Sequence, residues 1–144
     1  MAADSINFFN EEIDFALSDP TTIQNWVAGI IKDHEKIPGD INYIFCSDAY
    51  LHQINVSYLS HDTYTDIITF DYVDGKTVSG DIFISIERVS ENAKTYKVSF
   101  EDELRRVMVH GVLHLTGYGD KSKEEVDEMR QKEDEKLKLF HVEH

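Results

Sequence analysis

Apolar residues along this chain change their spacing several times, and the changes mark out its elements. Ile23, Trp26, Val27, Ile30 and Ile31 recur at the spacing of one helical face. Thr21 or Thr22 can cap that helix, and Pro38-Gly39 stops anything running past Ile37. Short β-like runs lie on either side, Ser5–Phe9 and Ile41–Cys46. Ser47 or Asp48 can then cap a helix whose apolar side includes Leu51, Ile54 and Tyr58. Asp66–Val73 is β-rich, Asp74-Gly75 is a tight-turn pair, and Ile82, Ile84 and Ile86 alternate within Thr77–Ile86. Those two segments predict an antiparallel hairpin.

The C-terminal half turns helical. Glu87–Lys97 is one helix, and Ser99-Phe100-Glu101-Asp102 resembles a capping box opening a longer one. Leu104, Val107, Met108 and Leu115 form its buried stripe, and Gly117 ends it. Ser122-Lys123-Glu124-Glu125 is a second capping box. It opens a charged helix to about Leu139, anchored by Val126, Met129 and Leu137. The expected class is α+β, a small mixed β-sheet packed with helices. With no internal repeat and no Gly/Ser linker, residues 1–144 read as a single domain.

Composition narrows the picture. A domain of 144 residues needs no disulfide or structural metal to hold a core. The one cysteine, Cys46, sits in a strand-like run and reads as a small buried hydrophobe. The N-terminus lacks a basic region followed by an apolar run, and no stretch has the length of a membrane span, so a cytoplasmic protein is expected. The formal charge of -14 argues against broad attraction to nucleic acid or anionic membrane. The small basic clusters, Arg88 with Lys94 and Lys97, then Arg105 and Arg106, read as solvated helix faces.

One stretch carries chemistry: His110-Gly111-Val112-Leu113-His114-Leu115-Thr116-Gly117-Tyr118-Gly119-Asp120. Histidines four apart share a helical face and can bind one metal ion. The helix-stopping Gly117 lets the chain fold back so that Asp120 supplies a third ligand, at the spacing of the long zincin motifs. Two imidazoles and one carboxylate leave a position open, the layout of a catalytic site, and zinc is the expected ion. A second arrangement has two protein ligands, with Asp120 outside the coordination shell. Zincins place a glutamate directly after the first histidine as general base; Gly111 stands there, which disfavours a metallopeptidase. His34 and His52 read as helix-surface residues, and His141 and His144 as part of a frayed tail.

With these residues in view, the chain is similar to the YbeY family of bacterial endoribonucleases, which mature ribosomal RNA. The run from His110 to Tyr118 matches the family pattern His-Gly-x-Leu-His-Leu-x-Gly-Tyr at every specified position. Upstream, Asn55 to Tyr58 resembles its Asn-x-x-Tyr/Phe segment. Thr65-Asp66-Ile67-Ile68-Thr69-Phe70 and Gly80-Asp81-Ile82 resemble two of its strands, and Met129 and Glu133 fall at its usual last-helix positions. The resemblance implies a metal-dependent endoribonuclease in ribosomal RNA maturation and ribosome quality control, cleaving single-stranded RNA in a cleft beside one Zn²⁺ held by His110, His114 and Asp120. It implies the ribosome as partner, with no membrane and no DNA.

The chain departs from the family pattern at three positions. Asp120 stands where the family usually has its third histidine, Gly119 replaces a neighbouring aspartate, and Leu59 replaces an arginine thought to help grip or polarise RNA phosphate. Arg88, Arg105 and Arg106 are the candidates to compensate for that arginine. Asp66, Asp81 and His61 are candidate general bases by residue type. Two other readings stand beside the nuclease: a metallopeptidase, and a ribosome-associated RNA-binding factor with weak or lost nuclease activity.

Overall fold

The computed structural model describes residues 5–59 and 65–143. In chain order the elements are β1 (Ile6–Glu11), α1 (Pro20–Asp33), β2 (Ile37–Cys46), α2 (Asp48–Leu59), β3 (Ile67–Asp71), β4 (Thr77–Ser85), α3 (Ile86–Tyr96), α4 (Phe100–Leu115) and α5 (Lys123–Glu143). The four strands form one sheet in the order β1-β2-β4-β3. β1 and β4 run parallel to β2, and β3 lies antiparallel to β4 at the edge, so the sheet is mixed as expected. The expected hairpin is present, with Asp74 and Thr77 exchanging backbone hydrogen bonds of 3.0 Å around the turn that contains Gly75.

The two-residue period of the strands divides the apolar residues between two faces. Ile41, Tyr43 and Phe45 of β2, with Ile82 and Ile84 of β4, join the main core, where α1, α4 and α5 also bury their apolar residues. Cys46, Ile68 and Phe83 belong to a smaller cluster with Leu51 and Ile54 of α2. Cys46 is fully buried, which pushes its thiol pKa up to about 12 and fits the reading of it as a hydrophobe.

Helix α4 is the central element. Nine of its sixteen residues are buried, among them Leu104, Val107, Met108, Val112, Leu113 and Leu115. At about 1.5–3 kcal/mol per buried side chain, these contribute on the order of 10 kcal/mol. The buried Tyr43 hydroxyl donates to the Met108 carbonyl at 2.9 Å and fixes the helix against β2. Gly111 faces the sheet so closely that a Cβ there would lie 3.0 Å from Ile82 Cγ2 and 3.1 Å from Ile67 Cδ1.

Several local expectations are corrected. Helix α1 begins one turn position earlier, with Pro20 in its first turn and Asp19 as N-cap; Thr21 and Thr22 lie inside it, and Asp19 makes no side-chain cap bond. The helix ends at Asp33, so Pro38-Gly39 does not stop it. These two residues lie in β2, where the pairing with β4 shifts register between Pro38 and Ile41. Tyr58 is 73% exposed and Val126 49% exposed, so neither anchors its helix. The capping boxes are as read: Ser99 Oγ accepts from Asp102 N–H, and Ser122 and Glu125 cap each other reciprocally at 3.1 and 3.0 Å.

Gly111→Glu should therefore not install a general base. It would force a carboxylate between α4 and Ile82, and urea denaturation should show a loss of at least about 3 kcal/mol. Wild-type stability would show that α4 has room there.

Candidate metal centre

Helix α4 places His110 and His114 one turn apart on one face, with ring centroids 4.8 Å apart. The helix then ends in a Schellman turn. Tyr118 N–H donates to the Leu113 carbonyl and Gly117 N–H to the His114 carbonyl, both at 3.1 Å, with Gly117 at φ +117°. A side chain rarely adopts that φ, so glycine is what allows the reversal. The turn is pinned to α1: His34 Nε2 lies 3.1 Å from the Tyr118 hydroxyl, and its Nδ1 lies 2.8 Å from the Ile30 carbonyl. His34 is thus not an idle surface histidine, although His52 and His141 lie on other elements, His141 pairing with Asp102 at 3.3 Å.

The reversed chain brings Asp120 back over the histidines. Its Oδ2 lies 3.1 Å from His114 Nε2 and 3.5 Å from His110 Nε2. Ligand atoms of the three residues all lie within 4.8 Å of one another, and no other group of three or more His, Cys, Asp or Glu among the described residues converges in this way. A tetrahedral zinc site needs two nitrogens and an oxygen on one point at about 2.0–2.2 Å each. The set His110, His114 and Asp120 fits that demand in donor type, number and convergence.

The other nitrogen of His110 is engaged from α5. His110 Nδ1 lies 2.7 Å from Glu133 Oε2, and Glu133 Oε1 accepts from Arg106 at 2.8 Å. Glu133 is buried, at 5% exposure. Its carboxylate requires Nδ1 to carry the proton, which turns Nε2 toward Asp120 as the free lone pair. Burial opposes charging of His110, but the Glu133 hydrogen bond and the charges of Glu133, Asp120 and Asp66 outweigh it and hold the imidazole pKa above its ordinary value. Glu133 is itself placed by the docking of α5. Trp26 Nε1–H donates to the Lys136 carbonyl at 3.0 Å, and the Trp26 and Phe140 rings pack edge to face at 4.9 Å.

Two cavities flank His110 and Asp120. One is an open cleft of about 900 Å³ along the edge strand β3, lined by Asn55, Leu59, Asp66, His114 and Lys121, among others. The other, of about 320 Å³, lies between α3, α4 and α5. Leu59 is 41% exposed on the cleft wall, where the resemblance implies the arginine-bearing position. Among the type-only base candidates, Asp66 lines both cavities, and burial raises its carboxyl pKa. Asp81 instead accepts from Asn42 Nδ2 at 3.0 Å within the sheet and lines neither cavity. His61 lies outside the described residues, as does His144.

The arginines separate as well. Arg88 is paired with Asp48 at 2.7 Å, and Arg105 stacks on Phe140 at 4.5 Å. Of these three only Arg106 reaches a cavity beside the centre, where it is bound to Glu133 and Asp134, and Arg130 lines the same cavity. Sequence reasoning had Glu133 only as a matched position and did not find its contact with His110. A signal was present: Glu133 sits four residues after Met129 and four before Leu137, a carboxylate inside the buried stripe of α5.

A family model described as endoribonuclease YbeY matches residues 6–141. A protein of Flavobacterium psychrophilum named endoribonuclease YbeY is 60% identical over 93% of this chain and 96% of its own. Proteins of the same name from Flavobacterium johnsoniae and Christiangramia forsetii are 56% and 52% identical, over 94% and 99% of this chain and 97% and 99% of theirs. The solution structure of a Thermotoga maritima protein superposes with a TM-score of 0.68 at 25% identity, covering 96% of this chain and 90% of that one. The chain belongs to the endoribonuclease YbeY family.

Proposed function

We propose that this protein is a metal-dependent endoribonuclease that cleaves single-stranded RNA and matures ribosomal RNA in association with the ribosome, with zinc held by His110, His114 and Asp120. The observation that carries this reading is the convergence of both imidazole Nε2 atoms on Asp120 Oδ2, beside an open cleft. Zinc in such a site supplies a Lewis acid for a phosphate oxygen and lowers the pKa of water. The protein's own residues supply the arrangement. Glu133 holds His110 in the tautomer that offers Nε2, the Schellman turn delivers Asp120, and the cleft along β3 leaves the fourth position accessible to a phosphodiester.

Electrostatics favour this division of labour. Among the described residues Lys121 is the one lysine or arginine lining the cleft, and the chain carries a formal charge of -14. RNA phosphate therefore meets few fixed cations there, and a bound dication would be the largest positive charge in the site. A peptidase mechanism lacks its base, because Gly111 faces Ile82 and not the cleft. Leu59 on the cleft wall favours the RNA-binding factor with weak nuclease activity as the second reading.

Purified protein assayed on single-stranded RNA and on casein, with and without chelator, separates the three. Chelator-sensitive RNA cleavage is expected, and His114→Ala should abolish it while the thermal transition persists. Full metal content and full activity in His114→Ala would show the centre to be elsewhere.

Zinc titration tests the third ligand. Asp120→Ala should weaken zinc binding by orders of magnitude, whereas Asp120→His should retain zinc, since either side chain can complete the set. Wild-type zinc affinity in Asp120→Ala would reduce the protein ligands to His110, His114 and another partner.

Leu59→Arg should raise RNA affinity and steepen its decline with salt, by a slope increment near ~0.7 for one added single-strand phosphate contact. Identical binding across a salt series would show that RNA does not pass Leu59.

A further inference from the structure

The 320 Å³ cavity between α3, α4 and α5 has no part in holding the metal, yet it shares His110 and Asp120 with that centre. Its walls include the apolar side chains of Ile67, Val107 and Met129, and the 61% exposed ring of Tyr96 also lines it. Glu103 of α4 is a polar side chain in this lining. Glu103 is 6% exposed, and no side-chain hydrogen bond to another described residue holds its carboxylate, whose oxygens still reach solvent in the cavities it lines. A largely buried carboxylate whose oxygens are open to a cavity can accept from a ligand that supplies donors.

The chemistry of the lining restricts that ligand. Five carboxylates, Asp66, Glu103, Asp120, Asp127 and Glu133, line the cavity against two arginines, of which Arg106 is already bound to Glu133 and Asp134. A phosphate is therefore disfavoured. Among the described residues these carboxylates do not converge closely enough to chelate one ion. A flat group with apolar faces and a donor-bearing edge satisfies both the apolar walls and Glu103. A nucleobase is such a group, and the volume is at the lower end of the range for small-ligand pockets. A base in this cavity and a phosphate at the metal centre belong to neighbouring parts of one nucleotide, because the two spaces share His110 and Asp120.

Base edges differ in what they offer a carboxylate. Guanine presents N1–H and the 2-amino N–H side by side, matching the two oxygens. Adenine and cytosine pair one amino donor with a ring acceptor, and uracil flanks its single N–H with two carbonyls. We propose that this cavity is a nucleobase subsite beside the metal centre and that Glu103 makes it selective for guanine. The proposal rests on the ribonuclease reading for its biological use, but its binding chemistry is separable from cleavage.

The test is equilibrium binding of guanosine 5′-monophosphate and inosine 5′-monophosphate to the zinc-loaded protein. Inosine keeps the ring and phosphate and lacks only the 2-amino group. The wild type should bind the guanine nucleotide roughly ten-fold more tightly or better, the effect of one hydrogen bond to a charged group. Glu103→Gln removes the charge and one acceptor, so the ratio should fall to near unity with zinc content unchanged. Equal affinities in the wild type, or a ratio that survives Glu103→Gln, overturn the proposal. Should Glu103→Gln fail to fold, the exposed Tyr96→Ala should weaken both nucleotides by about five-fold or more through lost stacking, and unchanged affinities there also overturn it. Selective binding in a protein that cleaves no RNA would support the subsite and refute the ribonuclease reading alone. RNA cleavage with no guanine-over-inosine discrimination in binding would do the reverse.

Discussion

The close approach of α4 to the sheet is the constraint on which the rest of this structure depends. Gly111 lies against Ile82 and Ile67 with no space for a Cβ at normal contact distance. Any side chain there would lift the helix from β4. With the helix seated, residues on either side of Gly111 in the helical rotation face the rim of the sheet, and His110 and His114 look along the edge strand β3 toward Asp66 and Leu59. The same glycine that stands in place of the zincin base is thus what sets the depth of His110 and His114. Packing and chemistry are fixed by one position, and the general base, where one acts, has to come from another element.

Much of this was legible in the sequence because it is written in local rules. The β3–β4 hairpin follows from alternation around Asp74-Gly75, and the ends of α4 and α5 follow from capping residues whose partners lie within a few positions. The histidine pair and the glycine turn were readable for the same reason. What was not legible depends on distant contacts. Thr21 and Thr22 looked like caps, but Pro20 has its φ already suited to the first turn and starts the helix ahead of them. Pro38-Gly39 looked like a stop signal and is instead a register shift in β2. Tyr58 and Val126 sit at apolar positions of their helices but face outward, because each helix is covered on one side only. The pairing of Glu133 with His110 spans 23 residues and required the docking of α5, which no local pattern specifies.

The acidity of the chain takes on a different meaning once the site is built. A formal charge of -14 would oppose a polyanionic substrate, and Arg88, Arg105 and Arg106, which might relieve it, are bound to carboxylates or stacked on an aromatic ring. Attraction would then be concentrated at one point, where a dication would be held by two neutral imidazoles and one carboxylate, leaving net positive charge. Such an arrangement disfavours indiscriminate binding along RNA and leaves recognition to short-range contacts near the centre, of the kind the largely buried carboxylate of Glu103 can make.

The departures at Gly119 and Asp120 are linked by the capping of α5. Glu125 Oε1 accepts from Ser122 N–H at 3.0 Å and from Lys121 N–H at 3.2 Å, and these contacts, with the Ser122 cap, hold its carboxyl pKa below the usual range. The carboxylate so placed occupies the space that a Cβ on residue 119 would need. An aspartate at that position, as the family pattern has it, would push the Glu125 carboxylate out of its cap and also set two anions against each other. Glycine at 119 avoids both and lets the chain pass close to the start of α5. Asp120, the next residue, therefore approaches the histidines on a path set by the cap of the following helix. The short reach of its side chain suffices there, since its Oδ2 already lies 3.1 Å from His114 Nε2. The aspartate at 120, the glycine at 119 and the capping glutamate at 125 form one local solution, in which backbone placement supplies the reach that a longer histidine side chain would otherwise provide.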